Sequence, residues 1–264
     1  MPVPIYLIDA FIDRPFSGNP AGVCLLEVEP ASDWMQRVAL EMNQSETAFV
    51  WPRGDGTYEL RWFTPQVEVN LCGHATLAAA HALYREVGVD LAVIKFHSPG
   101  GLLTAALVDD EIQLDFPADQ PKGREHPHNL HELVDTNVVW YGEGRNDVLI
   151  ALKTASDVEN FVPNYPLISG MTRRGLIITA PGEPGSGVDM VSRFFAPGIG
   201  VSEDPVTGSA HCLLTVYWAY LLGKNRLRAR QASARGGFLS LELKGNRVLL
   251  GGKAMTMLKG EFHG

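Results

Sequence analysis

Cysteine is scarce in this chain. Cys24, Cys72 and Cys212 are the only three in 264 residues, and no CxxC pair occurs. That excludes a disulfide framework and a structural zinc site built from cysteine pairs. Long apolar runs are missing too. The most apolar stretch, Cys212 to Leu222, has eleven residues, against the roughly 20 needed to span a bilayer. Basic side chains are outnumbered 22 to 30, giving a net charge of −8. This balance argues against a nucleic-acid partner and against an anionic membrane surface. No P-loop sequence is present, and Gly182-Glu-Pro-Gly-Ser-Gly187 lacks the spacing and the following helix of a dinucleotide fingerprint, so it reads as a turn. No nucleotide or other cofactor is expected. His126, His128 and His131 cluster in a Pro-containing stretch without metalloprotease spacing and read as solvated linker, so no metal is expected either. The start Met-Pro-Val-Pro, with Asp9 soon after, lacks the pattern of a secretory leader. A reduced, cytoplasmic protein is the expectation.

What the chain does have is an internal repeat. Arg61-Trp-Phe-Thr-Pro65 is answered by Arg193-Phe-Phe-Ala-Pro197, Cys72-Gly-His-Ala75 by Thr207-Gly-Ser-Ala210, and Gly100-Gly-Leu-Leu-Thr104 by Gly236-Gly-Phe-Leu-Ser240. The offsets are 132, 135 and 136 residues, in order, which points to duplication. After each helix-start motif come fifteen residues, from Gly73 to Gly88 and from Gly208 to Gly223, that are apolar nearly all round. Each predicts a four-turn helix stopped by a left-handed glycine. A helix without a polar face must be enclosed. The enclosing elements read as short strands rich in branched and aromatic residues, among them Ala48–Trp51, Tyr58–Phe63, Gly175–Thr179 and Val188–Phe195. Strands dominate and helices are too few for βαβ alternation. The class is therefore α+β with largely antiparallel sheets, in two pseudo-symmetric halves, residues 1–119 and 120–264. The extreme C-terminus is free to pack back onto the first half. A cleft between such halves is the expected ligand site.

The helix starts hold the candidate chemistry. Gly73 and Gly208 open the two helices, where unpaired N–H groups and the positive dipole end suit a carboxylate or an oxyanion. Cys72, His74, Thr207 and Ser209 stand beside them; the plainer reading makes Thr207 or Ser209 an N-cap and His74 a core histidine. Glu46 precedes a predicted buried strand, and Glu203 and Asp204 precede the second helix start. A loop carboxylate is ordinarily solvated; enclosed in an apolar cleft it would trade protons near neutral pH.

These motifs, with Asp9-Ala-Phe-Ile-Asp13, Gly18-Asn-Pro-Ala-Gly22, Gln44-Ser-Glu46-Thr and Glu203-Asp-Pro-Val-Thr-Gly-Ser-Ala210, resemble the phenazine-biosynthesis isomerase (PhzF-like) family over essentially the whole chain. The resemblance implies the diaminopimelate epimerase-like fold, in which each half is a sheet wrapped round a central helix. It also implies a cofactor-independent isomerase acting on a small carboxylic acid, and a homodimer. It carries over Glu46 as the acid/base residue, with Asp204, His74 and Ser209 as positions that hold or protonate substrate. Gly73 and Gly208 match its backbone donors, and Ser45, Cys72 and Thr207 lie among its substrate-binding positions. The superfamily's racemases use two opposed cysteines, whereas Cys72 here is mated with Thr207. An amino-acid or hydroxy-acid epimerase is the alternative enzyme, and a non-catalytic small-acid binding protein the alternative of another class.

Overall fold

The computed structural model describes residues 2–134 and 138–264. The chain divides into two compact units. Unit 1 comprises Met1–Asp115 and Gly251–Gly264, and unit 2 comprises Phe116–Leu250.

Unit 1 runs β1 (Val3–Ile12), β2 (Asn19–Leu25), α1 (Ser32–Met42), β3 (Thr47–Pro52), β4 (Tyr58–Phe63), β5 (Glu68–Val69), α2 (Gly73–His81), β6 (Val93–Ser98), β7 (Gly101–Val108) and β8 (Glu111–Pro117, whose last two residues belong to unit 2). The strand order is β1-β2-β3-β4-β6-β7-β8, with β5 on β4. Residues 253–262 return to pair with β1. Neighbours are antiparallel except β2/β3 and β4/β6. Each parallel pair is joined through a helix, α1 in the first case and α2 in the second.

Unit 2 repeats the plan. It runs β9 (Lys122–Gly123), α3 (Leu130–Leu133), β10 (Val138–Glu143), β11 (Asp147–Leu152), α4 (Ala155–Glu159), α5 (Tyr165–Met171), β12 (Gly175–Pro181), β13 (Met190–Phe195), α6 (Gly208–Leu222), β14 (Arg226–Gln231), β15 (Gly237–Lys244) and the start of β16 (Arg247–Phe262). Here β11/β12 and β13/β14 are the parallel pairs, and α6 bridges the second. The fold is the α+β arrangement expected.

Both expected helices are there. In α2 every residue from His74 to His81 is buried. Its Ala75, Ala78, Ala79 and Ala80 are fully enclosed and let β1, β2 and β3 pack close. A π-helical turn, Ala82–Val87, extends it to Gly88 at φ +81°. Helix α6 ends at Gly223 at φ +64°. Both stops are the left-handed caps that glycine tolerates. The last residues of α6, Tyr220 to Leu222, emerge into solvent.

Enclosure this tight leaves no room for a larger side chain. Ala79→Leu is expected to lower stability by about 1–3 kcal/mol, read as a lower urea midpoint at unchanged slope. A near-native midpoint would mean that α2 is not tightly enclosed.

Candidate active site

In unit 1 the first turn of α2 gathers four polar residues. His74 is the helix's second residue and is 4% exposed. Asn19, at the start of β2 and fully buried, has its Nδ2 3.1 Å from His74 Nδ1. Ser45 Oγ donates to Asn19 Oδ1 at 3.4 Å. Glu46 Oε2 lies 3.3 Å from His74 Nε2. That approach is off the line of a good hydrogen bond, so the buried Nε2 is close to the carboxylate without being satisfied by it. The Glu46 side chain is 20% exposed, which leaves its carboxylate within reach of a ligand. Cys72 Sγ is 3.6 Å from His74 Nδ1. No side chain caps α2.

The backbone sets this geometry. Glu46 is the residue before β3, and Gly22 N–H donates to its carbonyl at 3.2 Å. A Cβ on Gly22 would stand 2.8 Å from Thr47 Oγ1, so glycine is what allows β2 to lie against β3 at this point. Arg61 clamps Glu68 through two bonds of 2.7 and 2.8 Å, bracing the segment that leads into α2.

In unit 2 Thr207 Oγ1 donates to Asp204 Oδ2 at 2.5 Å. Gln231 ties both down, donating to the Asp204 carbonyl at 2.7 Å and accepting from Thr207 N–H at 2.9 Å. Ser209 Oγ accepts from Arg174 Nη1 at 3.1 Å. Arg174 is in turn held by Asp147, through Nε at 2.7 Å and also through Nη2. Asp147 is buried, and burial pushes its carboxyl up against the pull of Arg174. Burial would lower the Arg174 pKa, but the hydrogen bond and charge of Asp147 outweigh it and raise it. Neither Thr207 nor Ser209 caps α6. Glu203 forms a two-bond pair with Arg193 at 2.7 and 3.0 Å. It is a brace, the counterpart of Glu68 on Arg61.

The expected residues thus fall into two groups. Ser45, Glu46, Cys72, Gly73 and His74 cluster in unit 1, and Asp204, Thr207, Gly208 and Ser209 in unit 2. Sequence reasoning missed Asn19, Asp147, Arg174 and Gln231. Asn19 stands inside a quoted motif but without a role of its own, and no motif singles out Asp147, Arg174 or Gln231. Glu46, Cys72 and His74 also bring ligand atoms within 4.8 Å of one another, the cluster among the described residues that could hold a metal ion.

Doubly wrapped α+β architecture of this kind is the diaminopimelate epimerase-like fold. It is shared with a hydroxyproline epimerase of Agrobacterium vitis at TM-score 0.64 and 10% identity, over 98% of this chain and 92% of that one. Residues 8–260 match the model of the phenazine biosynthesis-like (PhzC-PhzF) family, and the chain belongs to that family. It is 45% identical to an uncharacterised isomerase of Halalkalibacterium halodurans over 99% of both chains. It is also similar to a PhzF-family structure from Enterococcus faecalis, with TM-score 0.95, 40% identity and full coverage of both chains. The chain is an enzyme of the isomerase class. Among the described residues, no helix is long and apolar enough to cross a membrane.

Burial holds His74 down to a pKa of about 3. It holds His211 down to about 4, against the upward pull of the Thr207 carbonyl that accepts from its Nδ1–H at 2.8 Å. Both rings are neutral at pH 7. An unfolded histidine takes up its proton near 6.5, so acidification below that point favours the unfolded chain until the folded pKa is reached. Between pH 6 and 5 each ring should cost about 1.4 kcal/mol per pH unit. Urea denaturation across this range should therefore show stability falling with pH, and His211→Gln should make the slope shallower by about one proton. An unchanged slope in that variant would overturn the assignment.

Proposed function

We propose that the protein is a cofactor-independent isomerase that shifts a proton between carbons of a small carboxylic acid. Glu46, as carboxylate, removes the proton from carbon. His74, a neutral donor, and the amides at the start of α2, from Gly73 on, hold the negative charge that develops. Glu46 or Asp204 returns the proton at a second carbon. Ser45, Cys72, Thr207, Gly208 and Ser209 serve in substrate binding. The observation that carries the reading is the pairing of a partly exposed carboxylate with a buried histidine nitrogen 3.3 Å away that has no hydrogen-bond partner among the described residues. A positioned base contributes roughly 10²–10⁴-fold, and a preorganised donor a further 10²–10³-fold.

An epimerase would need a base on each face of one carbon. The mate of Cys72 is Thr207, whose hydroxyl is spent on Asp204, and a threonine is too weak a base for that role. The one-base proton shift is favoured on that ground.

Small carboxylic acids incubated with the protein in D₂O, followed by NMR, should show loss of a C–H signal without inversion. Glu46→Gln should slow this exchange by about two to four orders of magnitude while melting at nearly the wild-type temperature. Near-normal exchange in a folded Glu46→Gln protein would sink the proposal. Exchange with inversion would give the epimerase, and saturable binding without exchange the binding protein. Cys72→Ala should keep most of the activity; a drop of about a thousandfold would instead make the thiol a base.

A further inference from the structure

His74 is a histidine with two close polar neighbours and two ring nitrogens, so its chemistry depends on which nitrogen carries the hydrogen. Glu46 decides one end. A carboxylate oxygen 3.3 Å from Nε2 is repelled by a lone pair there and attracted by an N–H. At the other end Asn19 Nδ2 and Cys72 Sγ approach Nδ1 at 3.1 and 3.6 Å. An amide NH₂ and a thiol are both donors, and a lone pair on Nδ1 receives them. The Ser45 hydroxyl fits this orientation of the amide, donating to Asn19 Oδ1 at 3.4 Å.

We propose that Asn19 is a positioning residue: by donating to His74 Nδ1 it holds the ring as the Nε2–H tautomer, with its single hydrogen directed at the side of Glu46. Burial holds the ring neutral, with a pKa of about 3, so it carries one hydrogen at neutral pH. Two consequences follow. The donor beside Glu46 is present at every pH at which the carboxylate is ionised. The ring also has no lone pair to offer a metal, because Nδ1 is occupied and Nε2 is protonated. Glu46 and Cys72 are thereby left without the third ligand that their spacing would otherwise provide.

The role of Asn19 in catalysis rests on the acid/base reading of Glu46, but its test does not. In protein labelled with ¹⁵N-histidine, the one-bond ¹H–¹⁵N coupling shows which nitrogen is protonated, and a His74→Gln variant assigns the signal by its loss. Wild-type His74 at pH 7 should be the Nε2–H tautomer. Asn19→Asp replaces the donor with an acceptor and should move the hydrogen to Nδ1; Asn19→Ala should let both tautomers appear. Added zinc should leave the wild-type His74 signal unshifted and should perturb it in Asn19→Asp. A wild-type ring protonated on Nδ1 overturns the proposal, and so does an Asn19→Asp ring that remains Nε2–H. The wild-type spectrum decides the tautomer even where an Asn19 variant does not fold. Substrate exchange in Asn19→Asp should fall about 10²–10³-fold. An Nε2–H ring in a wild-type protein that exchanges no substrate hydrogen would keep this assignment and remove the isomerase reading.

Discussion

Helices α2 and α6 have no polar face, and that constraint governs each unit. A helix of this composition is stable only when strands cover it on most sides. Its side chains then meet other side chains along its length, and polar chemistry is confined to the end where the backbone itself is polar. In α2 that end carries Cys72, Gly73 and His74; in α6 it carries Thr207, Gly208 and Ser209. Neither helix uses a side chain to cap its first turn. A helix start without a side-chain cap on its N-cap residue gives up about 1 kcal/mol, and its first-turn N–H groups are of the kind that suit an anion.

Enclosure also explains why the residues around each start are so well tied. A loop leading into a buried helix cannot wander, and the repeated arginine is what holds it. Arg61 grips Glu68 and Arg193 grips Glu203, each through two hydrogen bonds. Each guanidinium also lies over the phenylalanine two residues on, at 5.2 and 4.8 Å. Stacked, two-point contacts of this kind fix orientation as well as distance. The most visible repeat in the sequence is thus a brace for the site. In both units the second residue of the helix then receives a hydrogen bond from outside the helix, His74 from Asn19 and Ser209 from Arg174. Since arginine only donates, Ser209 must accept from it, which leaves its own hydrogen to be directed elsewhere.

The parts of the fold that were legible are those where one residue pattern dictates one outcome. The fifteen-residue apolar intervals announced their helices, and Gly88 and Gly223 announced the stops. Branched and aromatic residues marked β3 and β4 to within a residue at each end. Strand β2 was not legible. Gly18-Asn-Pro-Ala-Gly22 carries the glycines and proline that strands disfavour, yet Pro20 pairs only with Asp9 of β1, and the β3 ladder begins at Gly22. The proline is tolerated because its missing donor is not needed there. Asn19 was hidden for the same reason. Asp147 and Arg174 were hidden because a buried ion pair needs two positions far apart in the chain, and neither position alone departs from what a surface residue looks like.

The two halves nevertheless differ at the position of Glu46. Phe63 and Phe195 are matched by the repeat. Phe63 pairs with Thr47 and Phe195 with Leu176, so Gly175 occupies the place of Glu46, and Arg174 the place of Ser45. Gly175 cannot take a side chain. A Cβ there would stand 2.4 Å from the Phe194 ring and 2.9 Å from the Phe195 carbonyl, and the backbone carbonyl cannot move aside cheaply. Packing in unit 2 therefore forbids a second Glu46, while the neighbouring position supplies a cation locked to Asp147. Asp204 reaches the start of α6 by a different route, from the loop between β13 and α6, and is already bonded to Thr207 and, through its carbonyl, to Gln231. A duplicated fold has in this way kept two helix starts and given them different surroundings, a carboxylate beside His74 in unit 1 and an arginine locked to a buried aspartate beside Ser209 in unit 2.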